Sequence, residues 1–104
     1  MTLIERFEAD IVAHSLLASV VIDTVPGNNN IKIWFRSGEY ESEKIVNVVF
    51  RYHHEDEWYG HVHIEAILSE LSQKPKSTFL GKYSLKEYTD IRDDLFTLLL
   101  SVAP

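Results

Sequence analysis

The sequence predicts an α+β domain: a small antiparallel β-sheet of three to four strands, with N- and C-terminal helices packed on one face as a two-layer sandwich. Three observations predict it. Apolar residues recur at helical spacing at both ends of the chain. The middle is rich in β-branched and aromatic residues. Two of those central stretches, joined by a short polar turn, sort by alternation into an apolar face and a mostly polar one. The 104 residues hold no internal repeat and no Pro/Gly-rich linker, so 1–104 reads as a single domain.

The first helix opens on a capping box. Thr2 and Glu5 have the S/T-x-x-E spacing in which each side chain satisfies an orphan backbone N–H. Leu3, Ile4, Phe7 and Ile11 then fall on one stripe. Leu16, Leu17, Val20 and Val21 extend that spacing, which predicts a helix to about residue 18–20. The β-branched run 19–25 (SVVIDTV) offers a strand as the rival. Residues 26–30 (PGNNN) form a turn on either reading, because these types supply fixed or positive φ. Residues 31–36 make a short strand, and 37–43 a polar loop with Glu39, Glu41 and Glu43.

Residues 44–53 (KIVNVVFRYH) carry the clearest strand pattern in the chain, and 57–66 return after the turn 54–56. A turn centred on Glu55 predicts a register. Tyr52 faces Trp58, Phe50 faces Gly60, Val48 faces Val62, and Val46 faces Ile64 on an apolar side. His53–Glu57, Arg51–Tyr59, Val49–His61, Asn47–His63 and Ile45–Glu65 fall on the other side. A one-residue slip would mix the two sets.

Beyond Ile64 the spacing of Ile64, Ile67, Leu68 and Leu71 predicts a short helix overlapping the end of the strand. The stretch 74–86 reads as a solvated loop. Ser84 and Glu87 form a second capping box. Behind it Tyr88, Ile91, Leu95, Leu98 and Val102 predict a C-terminal helix of about 17 residues.

Charge narrows the function. Sixteen acidic and ten basic residues give a net −6 and a pI near 5.2, which argues against a nucleic-acid partner. Lys74, Lys76, Lys82 and Lys86 bring +4 to an acid-free stretch, so the rest of the chain carries −10. Such an acidic remainder favours a basic partner. The absence of cysteine removes disulfides, Cys-ligated zinc and thiol chemistry, and it fits a reducing compartment. The longest uncharged run near the start, 11–22, is too short to span a bilayer. Glu5, Glu8 and Asp10 stand where a signal peptide would be basic. The expectation is a cytoplasmic protein with no membrane partner.

The sharpest chemical candidate is the strand motif His61-Val62-His63-Ile64-Glu65. Residues two apart on a strand point the same way, so His61, His63 and Glu65 line one face about 6.5–7 Å apart. Paired imidazoles on a strand ligate divalent metals, but a third ligand is missing. Asn47, Val49 and Ile45 are poor ones, and His53 is at the far end of the hairpin. A polar sheet face carries histidines without any such role more often than not. No metal and no cofactor are expected. No G-x-S-x-G, G-x-x-x-x-G-K-[ST] or G-x-G-x-x-G is present, and sixteen acids make any carboxylate pair uninformative, so the chain is not expected to be an enzyme.

Glu55, Asp56, Glu57, Tyr59, His61, His63 and Glu65 form, in that register, one connected surface of negative, aromatic and polar groups. Mixed surfaces of this kind are common at protein interfaces. The leading expectation is a small acidic binding protein of the immunity or antitoxin type, an inhibitor that covers a basic partner through those seven residues. The alternatives are a chaperone or adaptor acting as a homodimer, and a small enzyme or metal-binding protein using the His61/His63 face.

Overall fold

The computed structural model describes residues 2–14, 21–23, 29–37, 40–52, 61–70, 73–84 and 86–102. Helix α1 spans Leu3–Ala13. Thr2 caps it as the sequence predicts, its hydroxyl accepting from the Glu5 N–H at 3.1 Å. It stops well before residue 18. His14 is already extended and its N–H closes the last turn on the Ile11 carbonyl at 3.1 Å. Leu16, Leu17 and Val20 lie outside the described residues, and Val21 goes to the rival element, as β1 (Val21–Asp23) is a strand. The β-branched pair Val21-Ile22 finds a ladder on its neighbour, which outweighs a helical spacing that any apolar run can show.

The sheet continues through β2 (Asn30–Ser37), β3 (Tyr40–Tyr52), β4 (His61–Ser69) and β5 (Lys76–Ser84). The order is β1-β2-β3-β4-β5 and every neighbour is antiparallel, so the predicted sheet exists as four long strands with the three-residue β1 at one edge. Helix α2 (Tyr88–Val102) closes the fold. The 15-residue helix is shorter than the predicted length of about 17 residues, and Ser84 does not cap it, since the first helical residue is Tyr88 and the Ser84 hydroxyl accepts from the Lys86 N–H. Ser84 belongs to the end of β5, and its carbonyl and hydroxyl turn the chain by accepting from the N–H groups of Glu87 and Lys86.

One apolar cluster lies between the sheet and the two helices. Phe7 and Ile11 of α1 and Ile91, Leu95 and Leu99 of α2 meet Ile31, Ile33 and Phe35 of β2, Val46, Val48 and Phe50 of β3, and Val62, Ile64 and Ala66 of β4. The helices also touch each other. The rings of Phe7 and Phe96 are 5.7 Å apart, the Arg6 guanidinium lies 3.9 Å from the centre of the Tyr88 ring, and the Tyr88 hydroxyl donates to Asp10.

The β3–β4 register departs from the prediction. Val48 faces Ala66, Phe50 faces Ile64, and Tyr52 faces Val62; on the other side Arg51 faces His63, Val49 faces Glu65, and Asn47 faces Ile67. The pairing centres on residue 57, two positions beyond Glu55, and residues 53–60 connect the strands. The predicted faces survive because the displacement is even. Moving a strand by an even number of residues changes every partner and leaves every side chain on its own side. Alternation therefore could not choose between the two registers.

Two further corrections follow from this pairing. Ile67 and Leu68 lie in β4, where Leu68 packs toward the core and Ile67 sits on the opposite face. The helical spacing of Ile64, Ile67 and Leu68 is thus an accident of a strand with apolar residues on both sides, and Leu71 lies outside the described residues. The lysine-rich stretch is also not a loop, since β5 pairs along its length with β4. A bulge between Ile64 and Glu65 leaves Leu80 as the extra residue of β5 and gives Gly81 a φ of +153°.

Candidate functional site

The side of the sheet away from the helices holds the candidate surface. In β4 the described residues alternate, with Val62, Ile64 and Ala66 buried and His61, His63, Glu65 and Ile67 half-buried. The three site residues predicted on β4, His61, His63 and Glu65, therefore share one face, as period two requires. Glu55, Asp56, Glu57 and Tyr59 lie outside the described residues, as does His53.

The cross-strand neighbours of these three differ from the predicted ones, and this decides the chemistry. His63 is paired with Arg51 on β3 and with Lys82 on β5, a cation on either side. Its ring meets the edge of Phe79 at 5.7 Å and 77°. Glu65 is flanked by Val49 and Phe79, lies 3.5 Å from an Arg51 guanidinium nitrogen, and accepts a hydrogen bond from the Ser77 hydroxyl. The carboxylate that would complete a His-His-Glu metal set is thus engaged by a cation and a hydroxyl. Among the described residues no three His, Asp or Glu side chains are grouped to hold a metal ion.

The face is less polar than the sequence suggests. Trp34, Ile45, Val49 and Ile67 are half-buried on it, and Phe79 is 63% exposed. Asn30 donates to Asn47 at 3.2 Å between them. The buried indole nitrogen of Trp34 has no acceptor among the described residues. Sequence reasoning missed Trp34, Ser77, Phe79 and Lys82 as members of this surface. Trp34 was legible from the alternation of residues 31–36, whereas the β5 residues were hidden by reading 74–86 as a loop.

Charge is divided between the two layers. Helices α1 and α2 together carry Glu5, Glu8, Asp10, Asp90, Asp93 and Asp94 against Arg6 and Arg92. At described positions the open face carries Lys32, Arg51 and Lys82 against Glu65 and Asp23, which the ladder sets opposite Lys32. Two of the helical acids tie their layer to its neighbours. The Tyr83 hydroxyl donates to Asp94 at 2.8 Å, and that of Tyr88 donates to Asp10. Burial, followed by the bond to a carboxylate, pushes both phenols well above their ordinary range. These tyrosines act as neutral donors that pin α2 to β5 and to α1.

The chain matches no protein-family model. No curated protein and no solved structure is similar to it either. No helix among the described residues is long and apolar enough to cross a membrane.

Proposed function

We propose that the chain is a small cytoplasmic binding protein that acts by protein–protein interaction through the open face of its sheet, as an inhibitor of the immunity or antitoxin kind that covers a basic partner. The observation behind this reading is the composition of that face. Apolar and aromatic side chains (Trp34, Val49, Ile67 and Phe79) are interleaved with His61, His63, Arg51 and Glu65 on a surface built from hydrogen-bonded strands. Aromatics and arginine at the centre of a patch, with charge at its rim, are what protein interfaces select.

The net charge of −6 supports a basic partner through long-range steering. The described part of the face contributes no net attraction to such a partner. In this reading the attraction comes from Glu55, Asp56 and Glu57 in the connection between β3 and β4, with Tyr59 as an aromatic anchor beside them. The absence of cysteine fits a cytoplasmic setting.

The test is affinity capture from native lysate with the wild-type chain and three variants. These are Phe79→Asp on the face, the triple reversal of Glu55, Asp56 and Glu57 to lysine, and the triple reversal of Asp90, Asp93 and Asp94. The expected result is one stoichiometric basic protein, lost with Phe79→Asp. Its association should slow markedly with added salt and with the 55–57 reversal. Loss confined to the helical reversal would move the site to the helical layer and overturn the assignment.

A further inference from the structure

The last strand of the sheet has a chemistry of its own. β5 is bonded to β4 on one side, and no described strand pairs with its other side. An open edge presents unpaired N–H and C=O groups to any extended chain. This one is nine residues long. Lys74, Lys76, Lys82 and Lys86 are all exposed along and beside it, and no acid occurs from 74 to 86 in a chain of net −6.

The two sides of the edge are shaped differently. On the open face Phe79 stands 63% exposed in the middle of the strand. On the helical side a groove of about 330 Å³ runs between β5 and α2, lined by Leu80, Tyr83 and Leu98, with Asp94, Thr97 and Ser101 at its margin. A strand added to β5 would send alternate side chains to these two sides, about 6.5–7 Å apart along each. Backbone bonds supply affinity in such strand addition, and pockets for alternate residues supply selectivity.

We propose that the β5 edge docks an extended segment of a partner protein in which acidic and apolar residues alternate. The segment joins the sheet as a further strand, with its carboxylates among the lysines and an apolar side chain in the groove between Leu80 and Leu98. Charge decides the occupant. Two copies of β5 paired edge to edge would bring together two acid-free stretches of four lysines each, so a second copy of this chain is repelled where an acidic strand is attracted. This inference stands apart from the open-face reading above and does not depend on it.

The experiment uses a labelled nine-residue peptide of alternating glutamate and valine. Its controls are a peptide of equal charge carrying prolines at alternate positions and a single-stranded oligothymidylate. Binding is followed by fluorescence anisotropy and by amide hydrogen exchange. The expected result is saturable binding of the Glu/Val peptide with new amide protection confined to residues 76–84. Reversal of Lys74, Lys76 and Lys86 to glutamate should weaken it about tenfold or more, equivalent to about 1.4 kcal/mol. The glutamine variants at the same positions, checked for an unchanged thermal melt, should fall between. Equal binding of the proline peptide or the oligonucleotide, or binding without protection at 76–84, would overturn the proposal. So would self-association of the reversal variants in the absence of any peptide binding to wild type, because the lysines would then serve only to keep edges apart.

Discussion

The β3–β4 register can be fixed chemically, because a chain without cysteine makes every introduced thiol unambiguous. Opposed Cα atoms of an antiparallel pair lie about 4.5–5.5 Å apart, within the roughly 4.4–6.8 Å that a disulfide spans. Val49 is opposite Glu65 on the half-buried open face, so cysteines there leave the core untouched. A turn centred on Glu55 would instead oppose Val49 to His61. In the observed sheet His61 is four residues farther along β4, displaced by about 13 Å at roughly 3.3 Å per residue. Val49→Cys with Glu65→Cys should therefore close under mild oxidation, and Val49→Cys with His61→Cys should stay reduced. A bridge closing a loop of this size stabilises by about 3 kcal/mol. Losing the exposed Arg51–Glu65 pair costs about 0–1 kcal/mol. A net gain of about 2 kcal/mol raises the Tm of a domain this small by about 10 °C. Thiol titration and intact mass under denaturing conditions count the bridges, and melts with and without reductant give the gain. Equal closure of both pairs, or closure of the His61 pair alone, would refute the register and every neighbour assignment made from it.

Other outcomes test the layers around that ladder. Val48→Asp and Val62→Asp should each unfold the domain near neutral pH, since both sites are fully buried and an unpaired carboxylate there costs several kcal/mol, on the order of the whole stability. His61→Ala should cost no more than about 0.5–1 kcal/mol in denaturant titrations. Gly81→Ala should destabilise by about 1–3 kcal/mol through the backbone alone, because an added Cβ would meet the Tyr83 ring at an ordinary 3.5 Å while the φ of +153° disfavours any side chain. The contribution of Tyr83 and Tyr88 to stability should be constant up to about pH 10 and be lost above it. Tyr83 and Tyr88 hold their protons more tightly in the folded chain, so the unfolded chain, with phenols titrating near 10, loses protons first as pH rises. Replacing both by phenylalanine should remove that alkaline slope in denaturant melts between pH 8 and 11, and an unchanged slope would show that the phenols are not responsible.

Elements whose local pattern has one solution were readable from residue order. The Thr2–Glu5 cap and the spacing of Tyr88, Ile91 and Leu95 fix two helices, because a helix is specified by neighbours within one or two turns. Elements defined by their partners were not. Residues 16–21 satisfy a helical spacing and a β-branched run alike, and the ladder between β1 and β2 claims Val21 for the strand. Residues 76–84 show little apolar alternation because both sides of an edge strand are wet. Their lysines look like a solvated loop until β4 is present to pair with them.

The same distinction governs the candidate site. That His61, His63 and Glu65 share a face follows from the two-residue period alone, and any even register preserves it. Whether they can hold a metal or engage a partner depends on what stands beside them across the ladder. That is set by the connection 53–60, whose length alternation does not register. Centred on Glu55, the hairpin gives His63 an asparagine neighbour and leaves a metal site short of one ligand. Centred two residues later, it gives His63 Arg51 on one side and Lys82 on the other, and turns Glu65 toward Ser77 and the arginine. A shift of the turn by two residues thus changes every cross-strand neighbour of the two histidines and engages the carboxylate that a metal would need, without moving a single side chain to the other face of the sheet.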